Sequence, residues 1–188
     1  NADKAKSFSA EPVIIEGESA VRKSNRSIVS KADTSSPVIS PSSASKQLIN
    51  YIGLTGWKTP GEEIVWNFEV KAAGYYDLRY IYKQDQTVNG YSYRRMKIDG
   101  EIPFSEAAEM SFFYGTSWKK GVFSDENGEP YYIWLDKGEH TISMTATMGP
   151  TAEYYRRLKA VSEGLGNLYL QITMITGDSP DSSRDYDL

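Results

Sequence analysis

Apolar residues recur at every second position through the middle of the chain. Ile64, Trp66, Phe68 and Val70 fall on one face of the run 64–70, and Tyr76, Leu78, Tyr80 and Tyr82 fall on one face of 76–82. A period of two marks strands with one face turned to a core. Tyr91–Ile98 reads as a further strand closed by Asp99-Gly100, and Asn89-Gly90 before it is a strong turn dipeptide. Tyr131–Leu135 and His140–Thr147 flank Asp136-Lys137-Gly138-Glu139, which the pattern predicts as a hairpin turn. Near the start, Pro12–Glu18 carries three β-branched residues (Val13, Ile14, Ile15) and reads as a first strand. Short strands at this spacing predict a mainly β fold, a two-sheet antiparallel β-sandwich whose core comes from alternate residues of facing sheets.

The period changes after Pro150. Tyr154, Leu158, Val161, Leu165, Leu168, Ile172 and Ile175 are spaced 4, 3, 4, 3, 4, 3, a helical stripe. It predicts a helix over 151–176, with Thr151 as N-cap and Gly177 and Pro180 as stop signals. The segment Leu168–Met174 taken alone also alternates like a strand. The resulting division is a polar lead over 1–11, a sandwich over 12–148 with a loop at 24–45, a C-terminal helix over 149–177 packed on the sandwich or a partner domain, and an acidic linker tail over 178–188. Nine of the 22 residues from Ser24 to Ser45 are serine, so that loop buries little apolar surface.

Composition removes several chemistries. Lys plus Arg is 21 against 25 Asp plus Glu in 188 residues, a net charge of −4 without a basic block, which disfavours a nucleic-acid partner. The acidity is local: Asp178–Leu188 holds four acids and one arginine, leaving 20 basic and 21 acidic side chains elsewhere. With no cysteine and one histidine, disulfides, thiolate zinc sites, cysteine nucleophiles and His-rich metal sites are excluded. No stretch approaches the roughly 20 apolar residues of a membrane helix. The start Asn1-Ala2-Asp3-Lys4 reads as a mature or engineered end, with any signal or lipoprotein segment absent.

Catalysis has little to stand on. His140 follows a turn, and no Gly-x-Ser-x-Gly elbow accompanies it. No phosphate-binding Gly-x-x-x-x-Gly-Lys-Ser/Thr is present. Glu106, Glu109 and Asp125 could serve as a glycosidase acid pair, but nothing in their spacing selects them. The reading is therefore not an enzyme.

The 14 tyrosines and four tryptophans are the stronger clue. Trp57 lies in the breaker-rich Gly53–Gly61, and Tyr114 and Trp118 lie in the loop-like Phe112–Trp118. Tyr and Trp join an apolar body to a polar tip, which suits the C–H face and rim hydroxyls of a sugar. Gln84, Asn89, Arg94 and Arg95 supply amide and guanidinium groups nearby in sequence. If Met96 and Ile98 face the core, Arg94 faces it too, and Tyr91, Tyr93 and Arg95 line the opposite face. An inward arginine requires either a carboxylate partner or a place where the core opens into a groove. Ligand-binding candidates are thus Trp57, Gln84, Asn89, Tyr91, Tyr93, Arg94, Arg95, Tyr114 and Trp118. Glu16 and Glu18, two apart, are candidates for a hard cation such as calcium.

These residues bear a family resemblance. Ile15-Glu16-Gly17-Glu18, Gly56–Trp66, Ala73–Tyr80, Lys97–Gly100 and Lys137–Ile142 resemble strands of carbohydrate-binding modules of families 6 and 35, on the galactose-binding-like jelly roll, over about residues 12–148. Tyr93–Phe104 and Met174–Tyr186 resemble modules embedded in extracellular solute-binding proteins of carbohydrate ABC transporters in Firmicutes. The resemblance implies a non-catalytic module of a larger bacterial cell-surface or secreted protein. Its partners would be an oligo- or polysaccharide and the remaining domains of a longer parent chain. It also implies structural calcium through the acids of the first strand, although Gln171 stands where such modules carry a late Asp. The alternatives are a structural accessory domain without its own ligand and a glycoside-active domain.

Overall fold

The computed structural model describes residues 11–43 and 46–186, apart from the side chain of Leu54. Two compact units divide at Gly149 and Pro150. The first contains β1 (Arg22–Lys23), β2 (Val29–Lys31), β3 (Tyr51–Gly53), β4 (Glu63–Val70), β5 (Gly74–Asp77), β6 (Arg79–Gln84), β7 (Tyr91–Ile98), β8 (Met110–Phe113), β9 (Gly115–Val122), β10 (Tyr132–Leu135) and β11 (Gly138–Thr147). The second contains the helix α1 (Thr151–Thr176). The architecture is mainly β, an antiparallel jelly-roll-like sandwich followed by one helix.

Five strands form one sheet in the order β1-β4-β11-β7-β8. At its centre Ile142 lies opposite both Trp66 and Ile98, and Met144 opposite both Ile64 and Met96. Alternation then turns Ile64, Trp66, Val70, Met96, Met110, Phe112 and Ala146 inward, where all are buried. Each of the larger side chains contributes about 1.5–3 kcal/mol through burial. The Asp99-Gly100 pair forms the tight β7 turn, with φ 50° and 84° and Ile98 bonded to Glu101 in both directions at 2.9 Å.

The opposite layer is built from shorter pairs. β5 pairs with β10 and β6 with β9. Because β5 and β6 run on from each other, β9 and β10 read as one long partner strand. Its register passes from Gln84↔Gly115 through Arg79↔Val122 to Asp77↔Tyr132 and Gly74↔Leu135. Residues 124–130 loop out of this line, and the loop is closed where the Tyr131 amide donates to the Phe123 carbonyl at 3.0 Å. Tyr80 and Tyr82 face inward and meet the edge of Phe112 at 5.4 and 5.1 Å, joining the two layers.

Four expectations are corrected. Pro12–Glu16 is not assigned to a strand: Ile14 is exposed, and Gly17–Ser19 is a 3-10 turn. β-branched residues favour extension, but no ladder takes them up. Phe112–Trp118 is not a loop, since it spans the end of β8 and half of β9. Asp136–Glu139 is not a hairpin turn, because β10 pairs with β5 while β11 pairs with β4 and β7. Thr151 is the first helical residue, not the cap; Pro150 occupies the N-cap position without a side-chain bond. Its missing N–H costs nothing there, since the first amides of a helix have no internal partner. The serine-rich loop, whose residues 44 and 45 lie outside the described ones, contains β2 and is tied down from Asn50, whose amide donates to the carbonyls of Asp33 and Pro41 at 2.9 and 3.0 Å.

Candidate functional site

The candidates separate into three groups. The first lies on the outer face of the five-stranded sheet. β7 and β8 place Tyr91 opposite Phe113, and Tyr93 opposite Ser111. Period two turns all four away from the core side occupied by Met96, Met110 and Phe112. The rings form a row: Tyr93 to Tyr91 at 6.3 Å, Tyr91 to Phe113 at 5.0 Å. Tyr91 is 50% exposed and Phe113 43%. Exposed Arg95 and Ser111 border the row. Lys119 places its ammonium 5.3 Å from the centre of the Phe113 ring. The turn with Asn89 at φ 54° immediately precedes β7, beside Tyr91. Gly149 lies against Tyr93: a Cβ there would come 2.4 Å from the ring, and its φ is 55°.

Gln84 and Tyr114 shape the loop behind this row. The buried Gln84 side chain accepts from the Gln86 and Thr87 amides at 2.9 and 2.8 Å and donates to the carbonyls of Thr87 and Gly90. It folds residues 84–90 with every group of its amide engaged. The Tyr114 amide donates to the Gly90 carbonyl at 2.9 Å, and the Tyr114 carbonyl accepts from Lys119 Nζ at 2.8 Å.

The second group is a knot around Arg94 and Trp57. Arg94 points to the core side, as its parity predicts, but its partners are not a carboxylate. Nη1 donates to the Tyr93 carbonyl at 2.8 Å and Nη2 to the Trp57 carbonyl at 2.9 Å, with the guanidinium 4.2 Å over the Trp57 ring. Burial lowers the Arg94 pKa to about 10, against the pull of the Glu62 charge. Trp57 in turn donates its indole N–H to the Glu62 carbonyl at 3.1 Å. The Glu62 side chain is 8% exposed and accepts from the Lys58 and Thr59 amides and from Asn25. Burial works to raise the Glu62 pKa, but these bonds prevail and hold it below the usual value. Gly56 completes the knot: a Cβ would come 1.9 Å from the Ser27 carbonyl oxygen.

The third group surrounds Trp118 on β9. Its indole N–H donates to Asp33 Oδ2 at 2.8 Å, and its ring meets Tyr51 edge-on at 5.5 Å. Lys83 lies 3.9 Å from Asp33 and 3.7 Å from Asp85. The Asp33 pKa is lowered, mainly by bonds from Ser35, then from Trp118. Trp118 therefore holds down the serine-rich loop.

Of the nine candidates, Tyr91, Tyr93 and Arg95 share one surface, with Asn89 at its end. Trp57 with Arg94, and Trp118, lie in the two other clusters. The sequence reading missed Phe113, because a presumed loop carries no parity; as a strand residue opposite Tyr91 its orientation follows directly.

His140 is structural. Nδ1 faces Asp99 Oδ2 at 2.6 Å, Nε2 faces the Asp136 carbonyl at 2.8 Å, and the ring stacks on Phe68 at 5.6 Å. Both nitrogens point at acceptors, so the geometry suits the doubly protonated ring, and Asp99 raises its pKa.

Glu18 sits in the 3-10 turn and Glu16 just before it, neither on a strand. Burial, and then the Glu16 charge, raise the Glu18 pKa, partly countered by a backbone bond, and Glu18 Oε2 is buried without a hydrogen-bond partner. Among the described residues no group of three or more His, Cys, Asp or Glu could hold a metal. Calcium takes six to eight oxygens from carboxylates, carbonyls and water, and these two side chains would supply only part of that set. Glu16 and Glu18 alone do not make a calcium site. Among the described residues no helix is long and apolar enough to cross a membrane.

No family model and no curated protein matches the chain. Solved structures do match its fold. A family 35 carbohydrate-binding module from Clostridium thermocellum superposes with a TM-score of 0.53 at 20% identity, over 74% of this chain and 89% of the module. A cycloisomaltooligosaccharide glucanotransferase from Paenibacillus sp., crystallised with cycloisomaltoheptaose, superposes with a TM-score of 0.51 at 18% identity. That match covers 71% of this chain but 16% of the enzyme. The likeness is one of fold: the chain has the jelly-roll fold of a family 35-type carbohydrate-binding module.

Proposed function

We propose that the chain is a non-catalytic carbohydrate-binding module of a larger secreted or cell-surface bacterial protein. In this reading Tyr91, Phe113 and Tyr93 form the platform on which a glycan stacks. The observation that carries it is the row of three rings on the outer sheet face, with two of them about half exposed in a polar surround. A sugar ring laid on Tyr91 and Phe113 would trade water for apolar contact across its C–H face. Arg95, Ser111 and Asn89 would bond its hydroxyls, or a uronate carboxylate in the case of Arg95. Gln84, Tyr114, Trp57 and Arg94 act by holding the surrounding loops. Affinity per site is weak, because hydroxyls exchange water bonds for protein bonds at small net gain.

The motif resemblance to modules of solute-binding proteins from carbohydrate ABC transporters supports an extracellular setting, with the remaining domains of the parent chain as its fixed partners. Binding to a panel of immobilised plant and host polysaccharides tests the reading. Wild type should be retained on at least one polymer, and Tyr91→Ala combined with Phe113→Ala should abolish retention with the fold intact by circular dichroism. No retention on any polymer would favour the accessory-domain reading. Hydrolysis of an aryl-glycoside panel, lost in one carboxylate variant, would favour a glycoside-active domain.

A further inference from the structure

The 4-3 stripe on α1 is a heptad repeat: Leu158, Leu165 and Ile172 occupy its a positions, and Tyr154, Val161, Leu168 and Ile175 its d positions. None of the helix residues is buried. Leu158, Leu165 and Leu168 are 69%, 62% and 51% exposed. Isolated helices are marginal in water, and this one carries Gly164 and Gly166 in its interior, the residue that most weakens a helix after proline. A 26-residue helix of this composition needs a cover for its apolar stripe.

We infer that the cover is the same helix of a second copy of this chain, packed side by side as a coiled coil. Three observations select that occupant. First, the spacing is the seven-residue period at which two like helices keep their seams facing, whereas a helix lying on a globular surface needs only the broader 3.6 period. Second, the flanking e and g positions bring no like charges together. In a parallel pair Arg157 meets Ser162, Gly164 meets Tyr169 and Gln171 meets Thr176 of the other copy. Third, the area suffices. At about 100 Å² from each of the seven seam residues, two copies hide roughly 1,400 Å², within the range of about 1,200–2,000 Å² for stable interfaces. Two modules joined this way would present two glycan platforms, and a long polymer held at both would be retained with avidity.

Sedimentation equilibrium of the full chain from 1 to 200 µM tests the inference. The expected mass exceeds the 21.1 kDa of one chain and approaches twice that value at the upper concentrations. Leu165→Glu combined with Leu168→Glu should return the monomer mass with the near-ultraviolet spectrum of the sandwich unchanged. Met174→Glu, which adds the same charge at an 86% exposed position off the seam, should leave the association intact. A wild type that stays at 21.1 kDa throughout, an association that survives the double variant, or one that Met174→Glu also breaks would each overturn it.

Discussion

Replacing Arg94 separates a structural guanidinium from a ligand-binding one. Arg94→Met keeps the stem and removes the charge. It deletes the bonds to the Tyr93 and Trp57 carbonyls and the contact with the Trp57 ring. Hydrogen bonds from a charged donor contribute about 1.5–3 kcal/mol each, and a desolvated cation–π contact about 1–2 kcal/mol. Against this stands the cost of burying the charge. Holding the pKa at about 10, well below the usual guanidinium value, corresponds to roughly 3 kcal/mol. The balance is a net loss of about 3 kcal/mol, a fall in Tm of about 6–12 °C for a chain of this size. Urea unfolding followed by circular dichroism measures it. Arg94→Lys should fall between the two, since an ammonium reaches one carbonyl but cannot bridge both. If Arg94→Met unfolds within about 0.5 kcal/mol of wild type while glycan retention disappears, the guanidinium serves the ligand and the knot has been misread.

Three further outcomes follow from the same geometry. His140 has its pKa raised by Asp99, and Asp99 has its own lowered by His140 and Thr141, although burial works to raise it. The histidine's contribution is complete below its unfolded value of about 6.5 and lost as pH rises through its raised folded pKa. That of Asp99 is lost as pH falls through its lowered one. Tm should therefore decline above neutrality, and His140→Gln should flatten that decline. Glu18, with its pKa raised chiefly by burial, opposes folding once ionised. Glu18→Gln should raise Tm at pH 7 and change little at pH 4. Gly149→Ala meets the Tyr93 ring at a positive φ and should destabilise by about 2–4 kcal/mol in urea titrations, from overpacking and backbone strain together.

Strand β7 and helix α1 have the bounds that the sequence predicts, because alternation and the 4-3 stripe each carry the period of their element residue by residue. Pairing is less legible. Asp136–Glu139 has the composition of a hairpin turn, yet the strands on either side go to different partners, and nothing local encodes that choice. Pro12–Glu18 shows the converse: β-branched residues indicate extension, while a strand also needs a free edge to join. At the site, the inward direction of Arg94 follows from parity with Met96. Its partners do not, since main-chain carbonyls are the same at every position of a sequence. Phe113 was hidden because Phe112–Trp118 looked like a loop, and only the β7–β8 register sets its ring beside Tyr91. The clusters around Trp57 and Trp118 depend on contacts from residues as distant as Asp33 and Glu62, which no spacing rule brings together.

The central claim is that a glycan lies on the outer face of the five-stranded sheet. Its most direct test is a chemical-shift map of the ¹⁵N-labelled chain titrated with an oligosaccharide from a retained polymer. The largest shifts are expected on Tyr91, Tyr93, Arg95, Ser111 and Phe113, and Tyr91→Ala with Phe113→Ala should remove them. Shifts centred on Trp57 or Trp118 with the β7–β8 face silent would contradict it.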